Sequence, residues 1–188
     1  MKKLADFQLR SQAAYQEAYR YSVDNPSEFW AEIAATFQWQ QPWKNVLKHD
    51  WTTPSTEWFV EGKLNITENC LDRHVAEHPD KEALIWEPND PNDTVQRYTY
   101  KSLLEAVSRF ANGLKSQGIK KGDRVCIYMP MVPELTIAVL ACARIGAVHS
   151  VVFAGFSSAA LAARINDAGC VLLVTADGAF RGDKKIPL

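Results

Sequence analysis

Residues 121–188 read KGDRVCIYMPMVPELTIAVLACARIGAVHSVVFAGFSSAALAARINDAGCVLLVTADGAFRGDKKIPL. Val125-Cys126-Ile127-Tyr128-Met129 is an apolar run too short for a helix, introduced by the turn signal Lys121-Gly122-Asp123. Ala147 to Phe153 and Cys170 to Thr175 are two more such runs, rich in valine. Unbroken apolarity, rather than alternation, marks a strand covered on both faces. Two helical stretches separate the three. Pro133 suits a first helical turn, Glu134 suits the positive N-terminus, and Gly146 is placed to end the helix. Ser157 or Ser158 can cap the second helix and Gly169 can close it. Strands joined in this way run parallel through right-handed crossovers. The expected fold class is α/β, part of a doubly wound parallel sheet with flanking helices.

The rest of the chain leads into that core. Leu4, Phe7, Ala14, Ala18 and Tyr21 recur at helical spacing, and a break at Asp24-Asn25-Pro26 precedes a second helical stretch from Ser27. This is a helical hairpin with one aromatic face. From Trp39 to Trp58 the pattern is irregular, with Trp39, Trp43, Trp51 and Trp58 close to Lys44, Lys48 and His49. Aromatics among basic residues can serve single-stranded nucleic acid. Asp50 and Glu57 dilute the charge, so an extended segment anchored by its aromatics is favoured. Leu64 to Ala76 reads as a helix ended by His78-Pro79-Asp80, and Pro79 disfavours His74 and His78 as a helical ligand pair. Ala83–Trp86 and Val95–Tyr100 read as a β-hairpin around Glu87 to Asp93. Tyr100 to Gln117 is an amphipathic helix with Leu103, Leu104, Val107, Phe110, Ala111 and Leu114 on its apolar face.

Composition excludes several classes. The 188 residues carry a net charge of −1, leaving no basic surplus for nucleic-acid phosphates. No apolar run is long enough to span a bilayer. Asp6, Gln8 and Arg10 interrupt any signal segment behind Met1-Lys2-Lys3, so a cytoplasmic location is expected. Cys70, Cys126, Cys142 and Cys170 form no Cys-x-x-Cys pair and read as small buried hydrophobes rather than metal ligands or reactive thiols.

Chemistry is sparse. Neither G-x-G-x-x-G nor G-x-x-x-x-G-K-[ST] occurs, which disfavours a dehydrogenase domain, and there is no G-x-S-x-G elbow. The loop Ala154-Gly155-Phe156-Ser157-Ser158 opens a helix where an anion can bind, although ordinary capping accounts for it. The tail differs. Arg181, Lys184 and Lys185 gather three cations within five residues, just beyond a core strand, where open α/β sheets bind ligands. Gly182 would let a phosphate-bearing ligand approach the backbone. Spacing alone still favours a solvated charged loop.

At these residues a resemblance enters. Asn69-Cys70-Leu71-Asp72-Arg73-His74, Ile85-Trp86-Glu87, Lys121 to Val125, Ile127 to Met131, Ala141 to Phe153, Gly155-Phe156-Ser157, Arg164-Ile165 and Arg181-Gly182-x-Lys184 together resemble the N-terminal part of AMP-forming acetyl-CoA synthetases. Those enzymes belong to the adenylate-forming acyl-CoA ligase superfamily. The likeness covers the whole chain, with Trp58-Phe59 and Leu64-Asn65 adding to it. It implies residues 1–60 as a helical, Trp-rich leader and residues 61–188 as the first part of an AMP-binding (adenylation) domain. It also implies acetate activation by Mg-ATP to acetyl-AMP, followed by transfer to CoA.

The resemblance assigns Arg181, Gly182, Asp183 and Lys184 to the phosphorylated nucleotide end of CoA, overriding the reading from spacing. The family usually has glycine where Asp183 stands, and a carboxylate there repels CoA phosphate unless Arg181 or Lys184 pairs with it. No catalytic residue and no metal ligand is expected in this chain. The motifs that hold ATP, Mg2+ and acetate are absent from it, so the expectation is a truncated, split or excised piece that is inactive alone. Its partners are then the small molecules CoA, acetate and ATP, and the missing remainder as a separate chain. Two alternatives lack catalysis: a stand-alone module binding the CoA nucleotide, and a docking module for a partner chain.

Overall fold

A computed structural model describes residues 9–182 and 184–188. The chain divides into two compact units, with the boundary between Asn65 and Ile66.

The first unit holds helices α1 (Gln12–Asp24) and α2 (Pro26–Ala34) and strands β1 (Asn45–Asp50) and β2 (Ser55–Val60). Ser11 caps α1 by accepting from the Ala14 N–H at 3.1 Å, and Asn25 with Pro26 separates the helices. Ala14, Ala18 and Tyr21 lie on α1 as expected, whereas Leu4 and Phe7 lie outside the described residues. Only the first part of the Trp-rich stretch, up to Lys44, is irregular: from Asn45 onward β1 and β2 form an antiparallel hairpin pairing Leu47 with Trp58 and Lys48 with Glu57. What holds it is aromatic. Trp39, Trp43 and Phe59 pack with ring centroids 4.9–5.5 Å apart, while Trp58 meets Trp30 of α2 at 6.2 Å. The Trp39 indole N–H also donates to the Ala34 carbonyl at 2.9 Å, so its polar edge is satisfied where its ring is enclosed.

The second unit opens with a π-helical turn (Glu68–Asp72) running into helix α3 (Arg73–Glu77), not the single α-helix that the pattern suggests. Strands β3 (Glu82–Trp86) and β4 (Gln96–Thr99) form the expected hairpin, and helix α4 (Tyr100–Ser116) follows. Thr99 and Ser102 cap α4 reciprocally. Strand β5 (Arg124–Met129), helix α5 (Pro133–Ile145), strand β6 (Val148–Phe153), helix α6 (Ser158–Ala168) and strand β7 (Leu172–Thr175) then build the core. The chain ends in an antiparallel hairpin of β8 (Gly178–Arg181) and β9 (Lys184–Pro187).

The parallel sheet has the order β6-β5-β7. From β5 the chain steps one way to β6, then back across β5 to β7. Right-handed crossovers in opposite directions must place their helices on opposite faces. The side chains agree. Val125 and Ile127 join a buried cluster with Val107, Ala111 and Leu114 of α4 and Ala138, Ala141 and Cys142 of α5. Cys126, Tyr128 and Val152 face the other way, against Leu161 and Ile165 of α6. Gly146 ends α5 at φ +72°, a left-handed turn that a side chain would strain.

An ion pair ties the π-helical turn to α5. Arg144 donates to both carboxylate oxygens of Asp72, at 2.8 and 3.0 Å, and to the fully buried Thr67 hydroxyl at 3.4 Å. The hydrogen bonds from Arg144 hold the Asp72 carboxyl below its ordinary value, against the opposing effect of burial. Because the folded value is the lower one, the pair stabilises the protein above the unfolded value of about 4, and the contribution is lost as pH falls through the lower folded value. With about a third of each side chain exposed, Asp72→Asn is expected to cost about 1–2 kcal/mol at pH 7. Urea midpoints should show that deficit at pH 7 and a smaller one at pH 3.

Candidate functional site

The C-terminal ends of β5, β6 and β7 lead into the loops around Pro130, Ala154 and Asp177, where ligands of open parallel sheets gather. The middle loop is firmly held. The Tyr128 hydroxyl lies 3.1 and 2.8 Å from the Ala154 and Phe156 carbonyls, and the Arg164 guanidinium lies 4.4 Å above the Phe156 ring. Ser157 caps α6, accepting from the Ala160 N–H at 3.3 Å, so its hydroxyl has the ordinary role that the sequence suggested.

The cationic tail is a hairpin rather than a loop. Arg181 ends β8 and Lys184 begins β9, and the two are direct register partners. Gly182 turns the chain at φ +56°, a conformation that favours glycine. Asp183 lies outside the described residues. The three cations are not equivalent. Lys185, paired in register with Phe180, reaches Asp177 at 3.3 Å. Lys184 is exposed and makes no ion pair with any described residue. The hairpin base is joined by the Leu188 N–H donating to the Asp177 carbonyl at 3.4 Å, and its turn receives the Asn89 side-chain amide at the Gly182 carbonyl, at 2.8 Å. Nothing in the sequence singled out Asn89, one polar residue in a turn-rich run.

The cysteines behave as packing. Burial pushes the Cys142 thiol up to about 11 and raises those of Cys126 and Cys70, which suppresses the reactive thiolate. His74 packs against the Tyr100 ring at 4.9 Å while His78 caps α3. Among the described residues no group of three His, Cys, Asp or Glu is placed to hold a metal ion.

Residues 71–187 match the family described as AMP-binding enzyme. The chain belongs to the AMP-binding enzyme family. Within it, residues 15–70 match the acetyl-coenzyme A synthetase N-terminus. This AMP-binding enzyme chain is 52% identical over 181 residues to an acetyl-coenzyme A synthetase of Magnetococcus marinus, covering 96% of the chain and 28% of that relative. An acetyl-coenzyme A synthetase of Leptospira biflexa is 51% identical over 187 residues, covering 99% and 28%. The acetoacetyl-CoA synthetase from Streptomyces lividans superposes with a TM-score of 0.84 at 29% identity, over 95% of this chain and 27% of that one. The α/β architecture is therefore that of an acyl-CoA synthetase, and the similarity is to the N-terminal portion. The chain spans about 28% of the length of the curated relatives it matches. Among the described residues no helix is long and apolar enough to cross a membrane.

Proposed function

We propose that this chain is the N-terminal part of a cytoplasmic acetate–CoA ligase. In that reaction an acetate oxygen attacks the α-phosphorus of ATP and pyrophosphate leaves. The CoA thiol then attacks the acyl carbon of acetyl-AMP and AMP leaves. Residues 1–60 are the leader and residues 61–188 the first part of the adenylation domain. Arg181, Gly182, Asp183 and Lys184 take the nucleotide end of CoA, while ATP, Mg2+ and acetate bind polypeptide outside these residues. No catalytic residue lies within them.

The observation that carries the reading is identity of about one residue in two with acetyl-coenzyme A synthetases along almost the whole chain. The hairpin supports the CoA assignment, since it presents Lys184 free of described carboxylates on the strand paired with β8, which ends next to Gly182. A further feature favours a covering polypeptide, covalent or separate. Strand β6 lies at one edge of the parallel sheet and exposes Val148, Val151 and Phe153 by 53%, 51% and 67%. Such an edge is ready to pair and to be covered. The test is product analysis. The intact native polypeptide should form AMP and acetyl-CoA from ATP, acetate and CoA, whereas residues 1–188 alone should catalyse no acetate-dependent ATP–pyrophosphate exchange. Exchange by residues 1–188 alone would refute the proposal.

A further inference from the structure

We propose that Asn89 is a positioning residue for CoA, holding the Gly182 backbone at the end of β8 in place without touching the ligand; this rests on the reading of that hairpin as the CoA-nucleotide segment. A two-stranded ribbon is marginal by itself in water. Among the described residues β8 and β9 pair only with each other. The Lys185–Asp177 ion pair and the Leu188–Asp177 hydrogen bond lie at the hairpin base. At the opposite end, the bond to the Gly182 carbonyl comes from Asn89, 93 positions earlier in the chain.

The loop that carries Asn89 is suited to the task because it is itself braced. At its root the Trp86 indole N–H donates to the Met131 carbonyl at 2.8 Å, joining it to the loop after β5. Immediately beyond Asn89, the Asp90 carboxylate accepts from the Asn92 backbone N–H at 2.9 Å and from its side-chain amide at 3.0 Å. The Asp93 N–H donates to the Asp90 carbonyl at 3.0 Å. A braced loop thus grips the carbonyl lying between the two register-paired cations. Fixing that geometry before binding removes ordering that a phosphate would otherwise have to impose.

The test uses the intact native polypeptide carrying this chain and the variant Asn89→Leu, which removes the donor and keeps nearly the same shape. Calorimetric dissociation constants are measured for CoA, for pantetheine, which lacks the nucleotide, and for ATP. Loss of one exposed hydrogen bond should raise the CoA constant about three- to tenfold. The pantetheine and ATP constants should not change. Hydrogen exchange should accelerate at the amides of residues 184–186 and stay as in the wild type elsewhere. Lys184→Ala, measured alongside, separates the two levels. If Lys184→Ala weakens CoA and Asn89→Leu does not, the positioning role is overturned and the hairpin reading stands. If Lys184→Ala has no effect, the hairpin reading falls and takes the role of Asn89 with it. Equal losses toward all three ligands from Asn89→Leu would mark a general structural contribution and overturn the proposal.

Discussion

Ile127→Ala is expected to lower the unfolding free energy of the parallel-sheet unit by about 2–5 kcal/mol. Ile127 is completely buried in the central strand β5, between register partners Val151 of β6 and Val174 of β7. Its cluster includes the fully buried Val107 of α4 and Ala138, Ala141 and Cys142 of α5. Truncation there loses both the transfer free energy and the contacts of atoms left facing a cavity. The surrounding helices relax only partially into such a space. Val151→Ala on the edge strand is the matched contrast in residues 1–188 taken alone, because Val151 is 51% exposed there and its truncation should cost well under 1 kcal/mol. Urea midpoints of the two variants at pH 7 provide the comparison. Equal costs would mean that β5 is not the centre of the unit.

Lys184→Glu should weaken CoA binding about ten- to hundredfold, each factor of ten being about 1.4 kcal/mol. The variant replaces attraction for phosphate with repulsion at the start of β9, opposite Arg181 in register. Lys185→Glu should do much less, since Lys185 already has Asp177 at 3.3 Å and lies one register position further along. The loss in Lys184→Glu should also shrink as salt rises, because the site is exposed and its charges are screened over about a Debye length. Calorimetric titration with CoA at two ionic strengths reads both effects. Equal losses for the two lysines would mean that the tail acts as a diffuse cationic patch.

The core was legible because its physics is local. Val125–Met129 is too apolar to be anything but covered on both faces, and Pro133, Gly146 and Gly169 punctuate the helices between strands. The observed α5 starts at Pro133, and Gly146 and Gly169 adopt left-handed caps. The resemblance built on Ala141 to Phe153 and on Arg181-Gly182-x-Lys184 carried the family, which spacing alone could not. The β1–β2 hairpin was hidden for the opposite reason. Lys48, His49 and Asp50 show no alternation, and no glycine marks the turn after Trp51. Its stability comes from Trp39, Trp43 and Phe59 meeting in space, a pairing visible only once the register is known. The π-helical turn depends likewise on Arg144 reaching Asp72 from 72 positions away. Within the candidate site, the three cations looked alike in sequence, yet Asp177 distinguishes Lys185 from Lys184.

The most direct test of the account is the size of the native gene product in its source cells, by intact mass and peptide mapping. The account predicts a polypeptide of roughly 650 residues, the length at which 181 aligned residues amount to 28% of the relative. The ATP and acetate sites would then lie in the polypeptide that follows Leu188. A native product ending at Leu188, with no complementary chain copurifying, would contradict the ligase reading.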